Sequence, residues 1–344
     1  MTSTAETGEA QVPNSARFVE ETEPFRSELL AHCYRMLGSL HDAEDLVQET
    51  YLRASRSYGG FEGRSSVRTW LYRIATNACI TALAHHSRRY LPSGLSGPEA
   101  DFEVSPKAST NVSWLQPVPD AIVRADAADP AAVVALRQSL RLALIASLQY
   151  LPGRQRAVLI LRDVLAFPAT DVAVMLETTT ASVKSTLQRA RARLRQLSLV
   201  ADEVSEPTEP EARALLDQYI AAFEAADAAA LERLLCRDAT LEATPVRTWF
   251  AGKKTCVPYL RLSVLGSPGT WRMIPTRANG QLGAAAYTRN ERGAYEAYGI
   301  VVLTMSQEGI AKIYSFGEPS LIDAFGFPLQ MEASAGRGLM RTWA

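Results

Sequence analysis

Residues 177–195 read Glu177-Thr-Thr-Thr-Ala-Ser-Val-Lys-Ser-Thr-Leu-Gln-Arg-Ala-Arg-Ala-Arg-Leu-Arg195. Val183, Leu187, Ala190 and Leu194 recur at helical spacing, which predicts a helix from Thr180 with one apolar stripe. The other faces carry Lys184, Arg189, Arg191, Arg193 and Arg195, five cations with no acid among them. A shorter helical pattern, Ala169–Leu176, precedes this one across the turn at Glu177–Thr179. A short helix, a tight turn and a basic second helix make a helix-turn-helix, whose second helix enters a DNA major groove. Ser182, Lys184, Ser185, Gln188 and Arg189 project outward. Short polar side chains at the start of such a helix allow close approach to base edges, and arginine further along neutralises phosphate. An amphipathic helix with a solvated basic face is the plainer alternative.

The whole chain hides this local charge. Its 344 residues carry 36 Lys+Arg and 37 Asp+Glu, a formal net charge of −1. The acids Asp202, Glu203, Glu206, Glu209 and Glu211 follow the basic helix and offset it. Hydrophobic residues at 47% and charged residues at 21% exclude a wholly disordered or collagen-like chain. At roughly 100–200 residues per domain, the length predicts two or three domains.

Composition divides the chain into blocks. Residues 18–91 are rich in helix formers. Residues 92–130 hold Pro92, Pro98, Pro106, Pro117, Pro119 and Pro130 and read as a linker. Residues 131–200 return to helical periodicity, including a helix from Leu151 to Arg162 after a Pro/Gly break. An acidic, proline-containing boundary at 202–210 leads into 211–332, where two helical patterns give way to short β-rich segments.

Cys33, Cys79, Cys236 and Cys256 include no CxxC pair and read as buried thiols of a reducing compartment. The four histidines lie between His32 and His86, at spacings that fit no zinc pattern. No metal or cofactor is expected. The N-terminal segment lacks the apolar core of a signal peptide, and no apolar run reaches membrane-spanning length. The expected location is the cytoplasm.

In the first block, Phe25–Leu37 reads as a helix ended by Gly38. Asp42 is the expected N-cap of a second helix reaching Ala54. Ala43, Leu46/Val47, Thr50 and Ala54 can face a core there, while Asp45, Gln48, Glu49 and Arg53 lie opposite. A loop at Tyr58–Arg64 contains Phe61. Ser65 or Ser66 then caps a helix over Val67–His86, with Val67, Leu71, Ile74 and Ala78 as its core stripe. Arg64, Arg68, Arg73 and Asn77 lie on other faces beside Trp70 and Tyr72. Basic residues interleaved with aromatics suit a single-strand-binding surface. Trp70 fits structural packing equally well.

Leu40-His-Asp-Ala-Glu-Asp-Leu-Val-Gln-Glu-Thr50 with Arg68-Thr-Trp-Leu-Tyr-Arg-Ile-Ala-Thr-Asn-Ala78 resembles conserved region 2 of the sigma-70 family of RNA polymerase sigma factors. Leu151-Pro with Arg154-Gln-Arg-Ala-Val-Leu159, Asp171-Val-Ala173 and Val183–Arg191 resemble region 4. Without an intervening region 3, the chain is most similar to the extracytoplasmic-function group. The resemblance implies a transcription initiation factor that binds core polymerase and promoter DNA. Asp45, Leu46, Val47, Gln48 and Glu49 would dock on the β′ clamp, with the β flap as a further contact of the polymerase. Phe61, Arg64, Ser65, Arg68, Arg73 and Asn77 would capture unpaired bases of the −10 element. Thr180, Ser182, Lys184, Ser185, Gln188 and Arg189 would read the −35 element. Two positions depart from the family: Glu177 stands where the turn usually has glycine, and Thr186 where an arginine is common.

The helix, strand and hairpin order of 211–332 resembles the SnoaL-like, nuclear transport factor 2-like α+β cone. The expected elements are helices Ala212–Ala226 and Ala228–Leu235, strand Ala239–Ala243 and a helix near Lys253–Leu262. Strands Thr270–Ala278, Gln281–Arg289, Tyr295–Met305 and Gly309–Phe316 follow. Trp114-Leu-Gln-Pro-Val-Pro-Asp120 is similar to the proline-rich tryptophan motif of sigma factors carrying this domain, which makes Trp114, Pro117 and Pro119 its expected anchors. The expected architecture is two all-α domains plus a C-terminal α+β cone that tunes activity and takes a small ligand. Relatives of the cone include isomerases and hydrolases using a buried carboxylate, so Asp227, Asp238 and Glu242 are the residues to test, although no histidine lies nearby. No catalysis is expected, because fold does not settle function. A stand-alone helix-turn-helix regulator is the competing reading, and it leaves the 40–79 motifs unexplained.

Overall fold

The computed structural model describes residues 14–63, 65–85, 87–122, 138–197 and 207–332. Helices α1 (Asn14–Thr22), α2 (Arg26–Leu37), α3 (Leu40–Ser57) and α4 (Val67–His85) form the first group. Gly38 ends α2 in the left-handed conformation, φ 71°, and its N–H returns to the Tyr34 carbonyl. Ser39, rather than Asp42, caps α3, its Oγ accepting from the Asp42 N–H at 3.2 Å. Asp42 lies in the first turn, where the helix dipole favours an acid, and pairs with Arg89 at 2.5 Å.

Leu71 and Ala78 of α4 are buried, and Val67 and Ile74 pack against the same core. Tyr72, Ala75, Thr76 and Cys79 are buried as well, so α4 is covered on more than one side. The additional cover comes from two helices of a second group, which consists of α5 (Leu142–Leu148), α6 (Gly153–Leu159), α7 (Ala169–Met175) and α8 (Thr180–Leu197); α6 and α7 are the two that pack on α4. A π-helical turn, Ile160–Val164, extends α6.

The C-terminal unit begins with α9 (Glu209–Glu224), opened by a capping box between Thr208 and Glu211. Asp227 caps α10 (Ala228–Leu234), accepting from the Ala230 N–H at 2.9 Å. Then come β1 (Leu235–Thr244), β2 (Trp249–Ala251), α11 (Lys253–Tyr259), β3 (Trp271–Ala278), β4 (Gln281–Arg289), β5 (Tyr295–Ser306), β6 (Gly309–Phe316), α12 (Ser320–Ala324) and β7 (Gln330–Met331). The sheet order is β2-β1-β6-β5-β4-β3, with β7 on β5, and β1 and β6 run parallel. The expected α+β architecture is present; β1 starts earlier than its apolar pattern indicates, and β2 is too short to leave one.

Both faces of this sheet are buried. Ala284, Ala286, Val301 and Leu303 meet the apolar faces of α9, α10 and α11. Ala285, Tyr287, Ile300 and Val302 point the other way, into a core continuous with that of α2–α8. A strand covered on both sides reads as an unbroken apolar run, as Gly283–Tyr287 and Gly299–Leu303 do. Each fully buried large apolar side chain contributes about 1.5–3 kcal/mol, so the C-terminal unit is packed onto the helices and not merely tethered.

The proline-rich stretch is a packed strap over residues 87–122. Leu115, Gln116, Pro117, Val118 and Pro119 are buried in succession. Ala108 and Glu99 form isolated bridges to Val246 and Phe250, and Pro119 bridges Ala278. Such a strap places few demands on sequence periodicity, which is why its composition reads as a linker. Residues 123–130 of that stretch, 131–137 and 198–200 of the next block, and the acids Asp202, Glu203 and Glu206 lie outside the described residues.

Candidate nucleic-acid interface

Helix α8 seats Val183, Leu187 and Ala190 against its neighbours. Thr180, Lys184, Ser185, Gln188 and Arg189 are exposed, and Ser182 is half-buried. The Thr179 hydroxyl accepts from the Ser182 N–H at 3.1 Å and fixes the start of the helix. Arg189 donates to the Thr186 hydroxyl at 3.1 Å, which keeps the guanidinium at the surface. Arg191 plays a different part. It holds the Asp163 carboxylate through two bonds of 2.7 and 2.9 Å and so ties α8 to the π-helical turn.

Arg68, Arg73 and Asn77 of α4 all face the second group of helices. Arg68 pairs with Glu28 at 2.8 Å and lies 4.7 Å over the Phe167 ring. Arg73 pairs with Glu177 at 3.0 Å. The Asn77 amide donates to the Met175 carbonyl at 3.2 Å. The end of α7 and the turn after it therefore cover Arg73 and Asn77, while Phe167, just before α7, lies against Arg68. Ser65 is exposed, Phe61 packs 4.9 Å from Trp70, and both rings contact Tyr58. That cluster supplies the structural packing available to Trp70. Arg64 lies outside the described residues.

On α3, Asp45 and Gln48 are exposed, while Leu46 and Glu49 are half-buried. Glu49 pairs with Arg53 at 2.6 Å. Val47 does not share this face: it is 2% exposed and packs in the helical core.

Contacts that no sequence motif announces fasten the units together. Asn279 sits at the tip of the β3–β4 hairpin, fully buried, with φ 57°. Its Oδ1 accepts from the Val118 N–H at 3.0 Å, and its Nδ2 donates to the Tyr34 hydroxyl and the Leu140 carbonyl, both at 2.7 Å. One side chain thus joins the sheet to α2, the strap and the approach to α5. The Asn279-Gly280 pair is a recognisable hairpin-turn signal. What the turn docks into is a tertiary fact with no local pattern.

Further bonds surround this point. Gln116 accepts from Ser39 at 2.8 Å and donates to Glu318 at 3.0 Å. Tyr34 donates to the Gln116 carbonyl at 2.8 Å. Ser93 N–H donates to Glu242 at 2.9 Å, and burial holds that carboxyl above the usual glutamate range. Trp114 donates from its indole to the Ser109 carbonyl at 3.1 Å, and Pro117 and Pro119 are buried.

Two buried arginines lie where α2 meets the second helical group. Arg156 donates to the Met36 carbonyl, to Gln149 Oε1 at 2.9 Å, and to the Gln149 and Leu151 carbonyls at 3.0 and 3.2 Å. Arg35 donates to Ser139 at 2.9 Å, while its Nε and Nη1 have no partner among the described residues. Burial lowers the pKa of each to about 10. His32 donates to or accepts from Thr76 at 2.9 Å; burial, then Arg35 and Arg68, push it down to about 3 and keep it neutral.

The carboxylates considered for catalysis have structural surroundings. Asp227 caps α10, Glu242 is covered by Ser93, and Asp238 lies exposed on β1. Aromatic side chains fill the space between helices and sheet: Phe223 lies 5.5 Å from Trp271, which lies 5.0 Å from Tyr298. Phe250 stacks on Tyr259 at 4.1 Å. A cavity of about 190 Å³ lies at the junction instead, lined by Arg141, Glu209, Arg277, Gln281 and Thr304 among others. Among the described residues no His/Cys/Asp/Glu group is arranged to hold a metal, and no helix is long and apolar enough to cross a membrane.

Residues 23–89 match the family model for sigma-70 region 2, and residues 141–194 match that for sigma-70 region 4. The ECF RNA polymerase sigma factor SigG of Mycobacterium tuberculosis is 48% identical over 313 residues, 90% of this chain and 84% of that protein. SigJ of the same organism is 27% identical over 340 residues, 93% of this chain and 98% of that protein. A crystal structure of SigJ superimposes with a TM-score of 0.57 at 24% identity, covering 90% of this chain and 99% of that one. The fold therefore extends the likeness through the C-terminal unit, beyond both matched regions.

Proposed function

The chain belongs to the extracytoplasmic-function RNA polymerase sigma factors, and on that premise we propose that its described conformation is a closed state held by the C-terminal unit. A sigma factor binds core RNA polymerase and promoter DNA. In this reading residues 18–91 serve as region 2, 131–200 as region 4, and 211–332 as a SnoaL-like regulatory domain joined through the strap. Asp45, Gln48 and Glu49, with the edge of Leu46, are the docking face for the β′ clamp, and Val47 holds that face to the core. Region 4 takes the β flap. Phe61, Arg64, Ser65, Arg68, Arg73 and Asn77 capture the −10 element. Thr180, Ser182, Lys184, Ser185, Gln188 and Arg189 read the −35 element. The protein acts in the cytoplasm, where the polymerase is.

One observation carries the closed-state reading. Asn77 lies 3.2 Å from Met175, so the −10 row and the helix-turn-helix touch. Promoter elements named −10 and −35 lie about 25 base pairs apart, roughly 85 Å at ~3.4 Å per pair. One chain cannot hold both elements while these surfaces are in contact. Opening must break the contacts of Asn279, Gln116 and Arg156, two of which involve the C-terminal unit or its strap. A small ligand that shifts this balance fits the junction cavity better than the aromatic-filled cone. No catalytic role is assigned to the cone: Asp227 caps a helix, Glu242, the buried one of the three, accepts from the strap, and Asp238 is exposed on β1.

In vitro transcription with core polymerase tests this reading, comparing the full chain, a chain ending near Val200, and Asn279→Gly in the full chain. Altered open-complex yield or promoter choice in both altered chains supports regulation by the C-terminal unit. Equal behaviour of all three contradicts it.

A further inference from the structure

Glu177 occupies a position that its own backbone disfavours. Its φ is 50°, in the left-handed region where a side chain crowds the carbonyl and glycine is at ease. The turn nevertheless carries a glutamate, and its carboxylate reaches Arg73 at 3.0 Å. The same turn offers the Met175 carbonyl to Asn77 and the Leu176 carbonyl to Arg154 at 3.2 Å. The C-terminal end of α7, the negative pole of that helix, thus faces α4 with a full anionic charge added to it.

We propose that Glu177 is a built-in competitor for nucleic acid, standing on Arg73 where a phosphate of the −10 strand would stand. The inference rests on the reading of Arg73 as a −10 contact and adds a specific residue that opposes it. An anion at 3.0 Å satisfies the guanidinium as a phosphate oxygen does. Both partners are about half exposed or more, with side-chain exposures of 47% for Arg73 and 73% for Glu177, so the pair is weak enough to be displaced. A glycine here would leave the turn intact and Arg73 uncovered, which makes the glutamate a device of this chain and not a requirement of the fold.

A double-mutant cycle tests it on the full chain, using a fluorescein-labelled, mixed-sequence 12-nucleotide single strand as the probe. Glu177→Gln is expected to tighten binding about 2–5-fold. It is also expected to steepen the log–log salt dependence by about 0.7, because one more cation then meets the strand unneutralised. Glu177→Gly, which also relieves the backbone, should do the same. Neither gain should survive in the Arg73→Ala background. A gain that persists without Arg73 overturns the proposal in favour of general repulsion between Glu177 and nucleic acid. No gain from either Glu177 variant, while Arg73→Ala weakens binding, overturns it too and leaves the −10 reading standing. If Arg73→Ala has no effect, the −10 reading falls and the proposal with it.

Discussion

The Asn279 amide donates to the Tyr34 hydroxyl at 2.7 Å, across 245 residues of sequence and inside a fully buried junction. Both residues belong to units that each build secondary structure without the other. The bond therefore reports on how the C-terminal unit is mounted, and substitutions here separate mounting from folding.

Removing the Asn279 side chain orphans the Val118 N–H and one acceptor site on the Leu140 carbonyl. At about 1–3 kcal/mol for each buried group left unsatisfied, Asn279→Gly should lower stability by roughly 2–6 kcal/mol. Glycine keeps the left-handed turn, so the loss is not a backbone effect. Asn279→Asp should cost more, since it places a carboxylate opposite the Leu140 carbonyl. Urea unfolding measures the loss, and limited proteolysis within 87–122 should become faster in both variants.

Arg35 and Arg156 should respond oppositely to methionine. Arg35 is fully buried with one bond and two idle nitrogens, so Arg35→Met should be neutral or stabilising by up to about 4 kcal/mol. Arg156 serves Met36, Gln149 and Leu151, and Arg156→Met should destabilise by roughly 2–4 kcal/mol. Differential scanning calorimetry on both variants distinguishes them; equal losses would contradict the assignment of Arg156 as the tie between the helical units.

Glu242 makes stability fall as pH rises. Burial raises its folded pKa above the unfolded value, so the folded chain binds more protons between the two values. Stability lost over that window, from the ordinary glutamate range up to the folded pKa, should vanish in Glu242→Gln. Glutamine still accepts from the Ser93 N–H, so the strap keeps its bond. The check is the denaturation midpoint against pH for both proteins.

Arg189 and Arg191, two residues apart on α8, should differ on duplex DNA. Arg189→Ala removes the exposed cation proposed to meet phosphate and should make the log–log salt slope shallower by about 0.9. Arg191→Ala breaks the Asp163 pair and should loosen the seat of α8, lowering the melting temperature with a smaller change in slope. Fluorescence anisotropy with labelled duplex, read with thermal melts, checks both.

What was legible in the sequence follows from the range of the forces involved. Helix periods, the Gly38 stop and the β4 and β6 limits depend on neighbours a few residues away, and they are readable. The two helical motif blocks and the outward face of α8 were equally local. The strap reads as a solvated linker by composition, although Leu115–Pro119 are buried by distant partners, and only its resemblance to a tryptophan motif marks Trp114, Pro117 and Pro119 as anchors. Asn279, Arg35 and Arg156 act across 104 to 245 residues in their clearest bonds, and nothing near them in sequence marks that. Glu177 was visible as a departure from the family pattern, but its meaning required Arg73 to be seen beside it.

The closed state is tested most directly by a distance. Spin labels at exposed Ser55 on α3 and exposed Gln196 on α8, introduced as cysteines, report the separation of the two DNA-reading units by pulsed electron paramagnetic resonance. The free chain is expected to give one narrow, short distribution, replaced by a distribution longer by tens of ångströms when it binds core RNA polymerase. An unchanged distance in the holoenzyme, or a broad and long one in the free chain, would contradict the closed state.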